Sequence, residues 1–252
     1  VGRTPAKLAA AAARVRSESP DVPVETFICD FASLEDVRGL AHDLLAAYPR
    51  IDVLVSNAGT VFDKRTVTRD GLEATFQVNH LAGFLLVELL LDRIVASAPA
   101  RIVITASAGH YGGTLDLDDP GFEHGYTIMR AYNRSKLANV LHTRHLARRL
   151  EGTGVTVNTL HPGAVATNIW SGAPWFARPV LELGKRIFMV KPATGGERLA
   201  FLATSPEVEG RTGGYYQQNA LKQPASLARD DVLGDRLDRV SRELVGLTAT
   251  AD

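Results

Sequence analysis

Apolar positions along this 252-residue chain follow two alternating rhythms. Short β-prone runs at Val24–Cys29, Ile51–Val55, Arg101–Thr105 and Val155–Leu160 carry little polar alternation and read as strands buried on both faces. Between them, apolar residues return at helical spacing. Thr4–Ser17 is an alanine-rich helix with Thr4 as its cap and Pro5 in its first position. Ser33–Tyr48 is amphipathic, capped by Ser33, with Glu35 and Asp36 in its first turn. Gly71–Ser97 is a long helix, apolar around Leu81, Phe84, Leu85, Leu89 and Leu90. Met129–Leu150 is a second long helix, with Leu137, Val140, Leu141 and Leu146 on one stripe. Past Leu160 the pattern loosens into a region rich in Pro, Gly and Trp, residues 164–191. A helix near Ala193–Ala203, a short strand near Gly214–Gln217 and a final amphipathic helix around Ala228–Val245 follow.

Strands alternating with helices predict right-handed crossovers and a parallel sheet covered on both faces, the α/β class. With no internal repeat and no linker, residues 1–252 read as a single domain. In such sheets ligands sit beyond the carboxyl ends of the strands. Here those ends are Asp30, Asn57-Ala58-Gly59, Ser107 and Pro162-Gly163, so polar and glycine residues gather on one edge.

Composition narrows the function by exclusion. Twenty-eight basic residues balance twenty-eight acidic ones, which gives no ground for nucleic-acid binding. The single cysteine, Cys29, cannot form an internal disulfide and fits a reducing compartment. No run approaches the length of a membrane span, so the expectation is a soluble, cytoplasmic protein without a membrane partner. His80, His110, His124 and His145 show no metal-ligand spacing, and read as surface or hydrogen-bonded histidines; no metal is expected.

The chemistry begins with Tyr132 and Lys136, four residues apart and therefore neighbours on one helix face. A phenol beside a fixed ammonium is a workable proton donor and acceptor, the positive charge drawing the phenol pKa downward. The plain alternative is a tyrosine packed beside a solvated lysine.

The ordered set of Asp30, Asn57-Ala58-Gly59, Asn79, Ser107, Tyr132-x-x-Ser135-Lys136 and His161-Pro162-Gly163 resembles the short-chain dehydrogenase/reductase family. Together with the tail VKPATGGERLAFLATSPEVEGRTGGYY, it is most similar to the retinol-dehydrogenase-like branch. The resemblance implies a doubly wound, Rossmann-like sheet. It makes Tyr132 the proton carrier for the substrate oxygen and Ser107 the residue that holds that oxygen. Lys136 would tune Tyr132 and bind the nicotinamide ribose, and Asn79 would support a water relay to Lys136. Asn57, Ala58 and Gly59 would line the cofactor, and Asp30 and Phe31 the adenine pocket. Pro162, Gly163 and Thr167 would contact the nicotinamide carboxamide and phosphates. Arg3 would read the extra phosphate of NADP, with NAD the alternative. Trp170, Trp175 and Phe176 fall in the expected substrate-covering segment, 164–191, as a lid or as packing.

Each position also has a structural alternative: a strand-end serine, a backbone-bonding asparagine, a bare turn, an exposed aspartate, a solvated arginine. The sequence also departs from the family. The family's glycine-rich strand–turn–helix, which cradles a pyrophosphate, is not in the chain, and Val1-Gly2-Arg3 matches the end of its second strand. Roughly 35 residues are missing by comparison with a βαβ unit, and the expectation is that the natural protein carries them. Thr105-Ala106-Ser107 stands where the branch usually has paired serines, and the gap from Ser107 to Tyr132 is long for the family at large. The resulting expectation is an NADP-preferring oxidoreductase acting on a fairly apolar alcohol or carbonyl. Retinoid itself is not favoured, because the membrane anchor common among retinoid enzymes is not in the sequence. A dimer is expected through the two long helices. A non-catalytic dinucleotide-binding or scaffold protein is the alternative, with an extended-branch nucleotide-sugar epimerase a weaker one.

Overall fold

The computed structural model of the chain describes residues 1–163 and 192–247. The segment 164–191 lies outside them, and with it Thr167, Trp170, Trp175 and Phe176. Five strands form one sheet: β1 Val53–Ser56, β2 Ala100–Thr105, β3 Val155–His161, β4 Tyr215–Gln217 and β5 Ala220–Lys222, side by side in that order. The first four are parallel, as expected, and β5 turns back antiparallel with Leu221 opposite Tyr216. In the centre, Ile102 pairs with Leu54 on one side and Val157 on the other. Central strands buried on both faces have no polar side to show, which explains their continuous apolar runs.

Six helices flank the sheet among the described residues. They are α1 Pro5–Glu18, α2 Leu34–Ala47, α3 (74–96), α4 Ile128–Arg149, α5 Pro192–Thr204 and α6 Asp231–Leu244. One face of the sheet carries the larger core, where Phe84, Leu85 and Leu90 of α3 meet Leu137 and Leu141 of α4 and Leu237 of α6. A smaller core holds Val103, Leu160 and Tyr216 together with Leu202 of α5. Two separate cores, one on each face, are the doubly wound arrangement.

The helix α3 is a composite. Glu73 caps it, its two carboxylate oxygens accepting from Thr75 N and Phe76 N at 2.8 Å each. Ala74–Phe76 then runs through a π turn, Gln77–Leu81, into Ala82–Ala96. A π turn inserts one residue and redirects backbone groups, a feature that often marks a functional position. Asn79 lies inside it.

The helix α4 is enclosed on all sides. Every residue from Arg134 to Thr143 is buried, although the run includes an arginine, a lysine, a serine, an asparagine and a histidine. Its outer side is covered by α6, whose Ser241 Oγ meets His80 Nε2 at 3.0 Å. Arg242 of α6 pairs with Glu88 at 2.6 Å and Asp238 at 2.7 Å, while Arg149 of α4 joins Glu88 at 2.9 Å. Side chains of α6 thus reach both long helices.

One expected strand is nearly absent. The run Val24–Cys29 contributes only a parallel bridge between Gly2 and Ile28, with Gly2 N donating to Phe27 O and Cys29 N to Gly2 O, both at 3.1 Å. Past Gly2 the ladder ends because Pro5 opens α1 three residues later. Neither residue is hydrogen-bonded to β1. The strand β1 pairs only with β2, and its Val53 and Val55 stay 39% exposed. No described helix is long and apolar enough to cross a membrane, and no described cluster of His, Cys, Asp or Glu could hold a metal ion.

Candidate active site

The end of β2 and the first turns of α4 bring the chemistry together. Thr127 caps α4 by accepting from Arg130 N at 3.2 Å, which starts the helix just ahead of Tyr132. Ser135 donates back to Tyr132 O at 2.7 Å. One turn on, Lys136 is buried and donates from Nζ to Thr105 O at 3.2 Å. Its ammonium stands 5.8 Å from the Tyr132 ring centroid. No carboxylate faces it, so burial pushes the Lys136 pKa down to about 8.

Ser107 follows β2 and caps the short turn Ala108–Gly112, its Oγ accepting from Gly109 N at 3.1 Å. Gly109 brings the serine and the tyrosine together. A Cβ built there would lie 3.2 Å from Tyr132 Cε1 and 2.5 Å from Asn133 Oδ1, so only glycine lets the turn press against the phenol ring. The phenol faces the Ser107 hydroxyl, which favours its ionised form, but burial is the larger influence and holds the Tyr132 pKa above its ordinary value. The expected lowering by Lys136 is thus corrected. The ammonium is turned to the Thr105 carbonyl, and desolvation of the ring outweighs its neighbours.

Asn79 is fixed at three points. It accepts from Thr60 N at 2.7 Å, and its Nδ2 donates to Thr60 O and to Ser135 Oγ, both at 3.0 Å. Its own carbonyl accepts from Asn139 Nδ2 at 3.0 Å, and the same amide reaches Thr105 O at 3.0 Å. Thr105 in turn donates to Asn57 Oδ1 at 2.9 Å. A Cβ on Gly59 would stand 3.3 Å from Lys136 Nζ and 3.4 Å from Asn79 Oδ1. Asn57, Gly59, Asn79, Ser107, Tyr132 and Lys136 therefore form one connected set at the strand carboxyl ends.

The remaining candidates lie around this set. Ala58 is exposed beside Gly59. Asp30 Oδ1 accepts from Ala32 N at 3.0 Å, which forms the turn before α2, and Phe31 O accepts from Gln77 Nε2 at 3.5 Å. Arg3 is exposed, one residue past the Gly2 bridge. Pro162 O accepts from Arg198 at 2.9 Å, and Gly163 takes φ +101, a conformation that favours glycine.

Several functional neighbours were not legible in the sequence. Thr105 and Asn139 join the loop that follows β1 to the lysine. Arg134, between Tyr132 and Lys136, is 1% exposed and stacks over Phe76 at 4.7 Å and Phe122 at 4.9 Å. It donates to Asp119 O at 3.0 Å and Pro120 O at 2.9 Å, pinning the segment that leads into α4. Its place inside the Tyr-x-x-x-Lys run was the one available signal.

A doubly wound sheet with serine, tyrosine and lysine converging at its carboxyl edge is the architecture of the short chain dehydrogenases. That family's profile matches residues 1–174, and the chain belongs to the family. The chain is 43% identical over 220 residues to retinol dehydrogenase 14 of Mus musculus, which covers 86% of this chain and 66% of that protein. It thus spans about two thirds of the length of that relative. To a Streptomyces sp. (strain C5) protein provisionally named daunorubicin C-13 ketoreductase DnrU it is 39% identical over 250 residues, which covers 99% of this chain and 84% of the other. A solved structure of an uncharacterised protein from Mycobacterium paratuberculosis matches with a TM-score of 0.75 at 26% identity, covering 99% of this chain and 84% of that one.

Proposed function

We propose that this protein is a nicotinamide-dependent oxidoreductase that interconverts a carbonyl and an alcohol on a fairly apolar small molecule. The observation that carries this reading is the buried Lys136 ammonium beside Tyr132 and Ser107. Holding an unpaired cation against burial is costly, and a scaffold with no chemistry would have no use for it. Gly59 presents bare backbone to that ammonium, a cradle that any side chain would fill. Such a cradle fits the hydroxyl-rich end of a nicotinamide nucleotide, with Lys136, Asn57, Ala58, Gly59, Pro162 and Gly163 as its holders. The bound nicotinamide supplies or accepts hydride.

The protein's own groups handle the proton and the substrate oxygen. Ser107 Oγ has one lone pair committed to Gly109 N, which leaves its O–H free to donate to that oxygen. Tyr132 is set to exchange its proton with the substrate oxygen. Lys136 remains mainly cationic at neutral pH and stabilises the phenolate that forms. NADP(H) is the preferred cofactor in this reading, with Arg3 meeting the extra phosphate and Asp30 and Phe31 the adenine; NAD is the alternative. A ketone substrate accords with the ketoreductase name of the Streptomyces relative. Residues 1–252 act as a single domain, in a reducing cytoplasm that suits the free, buried Cys29. Two subunits are expected to pair through α3 and α4.

The test is titration of the polypeptide with NADPH and NADH by fluorescence, followed by a panel of apolar ketones and aldehydes. Saturable binding, tighter for NADPH, with cofactor consumption on some carbonyls is the expected result. A folded protein that consumes neither cofactor with any carbonyl or alcohol overturns the reading.

A further inference from the structure

His110 is fully buried, three residues after Ser107, and the chemistry above does not use it. Its backbone N and its ring Nδ1 both meet the Ser107 carbonyl, at 3.1 and 2.7 Å. On the far side of the ring, Nε2 lies 3.2 Å from Ala225 N. A backbone amide can only donate, so Nε2 carries the lone pair and Nδ1 the proton. That tautomer is also the one able to donate to Ser107 O. Both ring nitrogens are thereby committed, one to the catalytic loop and one to the segment after β5.

Aromatic packing reinforces the same link. The imidazole lies between Tyr111 and Tyr215, with centroids at 4.1 and 4.5 Å, and Tyr111 Oη donates to Gln223 O at 2.8 Å. The turn Ala108–Gly112 thus has two working faces. Through Gly109 it touches Ser107 Oγ and the Tyr132 ring, and through His110 and Tyr111 it is fastened to residues 223–225.

We infer that His110 is a positioning residue: as a neutral, Nδ1-protonated imidazole it bolts the Ser107 turn to the tail and so sets the Ser107 hydroxyl against Tyr132. This rests on the reading of Ser107 as the group that holds the substrate oxygen. It also links the β4–β5 hairpin and the chain after it to the site, through this ring and through Tyr111. Burial favours the required neutral form by lowering the imidazole pKa, and the groups facing the ring are Tyr111, Tyr215 and His161.

Three substitutions separate the contacts. His110→Phe keeps the ring between the tyrosines and removes both hydrogen bonds. His110→Asn keeps a donor near the Nδ1 position, and His110→Gln an acceptor near the Nε2 position. In His110→Phe, kcat should fall by about 10- to 100-fold, the cost of a misplaced reacting group, with cofactor affinity unchanged. Neither His110→Asn nor His110→Gln should recover most of that loss, since each keeps one end of the link, and the Ala225 amide should exchange faster in His110→Phe and His110→Asn. Nitrogen-15 spectra of the wild-type ring should show the neutral Nδ1–H form. Wild-type kcat in His110→Phe, or an Nε2–H ring, overturns the proposal. Should the wild type show no turnover with any carbonyl, the functional reading fails, and the Tyr132 ring resonances decide for His110. A shift in His110→Phe upholds the bolt, and unchanged resonances refute it.

Discussion

On the β4–β5 flank of the sheet Tyr215 and Tyr216 are 1% and 3% exposed, whereas on the other flank Val53 and Val55 of β1 are each 39% exposed. The strands carry similar apolar sequences, and the difference lies in what surrounds them. The strand β4 has β3 on one side and β5 on the other, with the rings of His110 and Tyr111 packed against Tyr215. The strand β1 has β2 alone. Its carboxyl end, Asn57 to Gly59, is correspondingly exposed and is steadied from the interior by Thr105 and Asn79. Ser107 and Lys136, proposed to serve the proton transfer, are thus buried, whereas Asn57, Ala58 and Gly59, proposed with Lys136, Pro162 and Gly163 to hold the cofactor, are exposed at the end of β1.

The sharpest way to break this contrast is at the enclosed site. Lys136→Met should lower turnover by about 10²- to 10³-fold, because the charge that stabilises a phenolate is gone. The same change should stabilise the fold. A folded pKa of about 8, down from 10.5, means that the buried ammonium weakens the fold at neutral pH and that this weakness is relieved only as pH rises. Its removal, less the bond to Thr105, should raise stability by roughly 1–2 kcal/mol, read by urea unfolding at pH 7. A variant that loses both activity and stability would show Lys136 to be structural.

The enclosed helices also set an acid limit. His80 is buried between Asn139 and Ser241, and burial lowers its pKa from 6.5 to about 4, with Arg134 and Lys136 adding to the effect and Asn139 and Asp238 opposing it. Its stabilising share is complete above pH 6.5 and is lost as pH falls towards 4, roughly 3 kcal/mol in all. His80→Gln should flatten the stability profile over that window, as measured by chemical denaturation at a series of pH values. An unchanged slope would mean that His80 is not neutral in the fold.

The open flank should respond least. Val55→Lys, at a position 39% exposed, should change stability by less than about 0.5 kcal/mol. Leu160→Ala, in the enclosed strand β3, should cost about 2–5 kcal/mol. Equal costs for the two changes would erase the distinction between the flanks.

The central strands and long helices were legible because their apolar periodicity is imposed by burial. Tyr132, Lys136 and Ser107 were legible as an ordered pattern. Local rhythm could not show that Val24–Cys29 would pair only at the Gly2–Ile28 bridge among the described residues, or that β5 would close the tail into a hairpin. Nor could it show burial of polar residues that are satisfied from distant elements. Arg134 is matched by carbonyls of residues 119 and 120, and His110 by Ala225. Histidines read as unremarkable in the sequence proved to be joints between segments far apart in the chain. The shift of the Tyr132 pKa was misjudged for a related reason. Sequence spacing shows that a lysine is near, but not which carbonyl its ammonium faces or how dry the phenol is.

The most direct test of the proton-transfer site is Tyr132→Phe compared with the wild type, with cofactor binding and turnover measured on the same samples. Removal of the one hydroxyl should leave the fold and cofactor affinity in place while turnover falls by about 10²- to 10⁴-fold. A variant that binds cofactor and turns over carbonyl at the wild-type rate would contradict the assignment of Tyr132 as the acid.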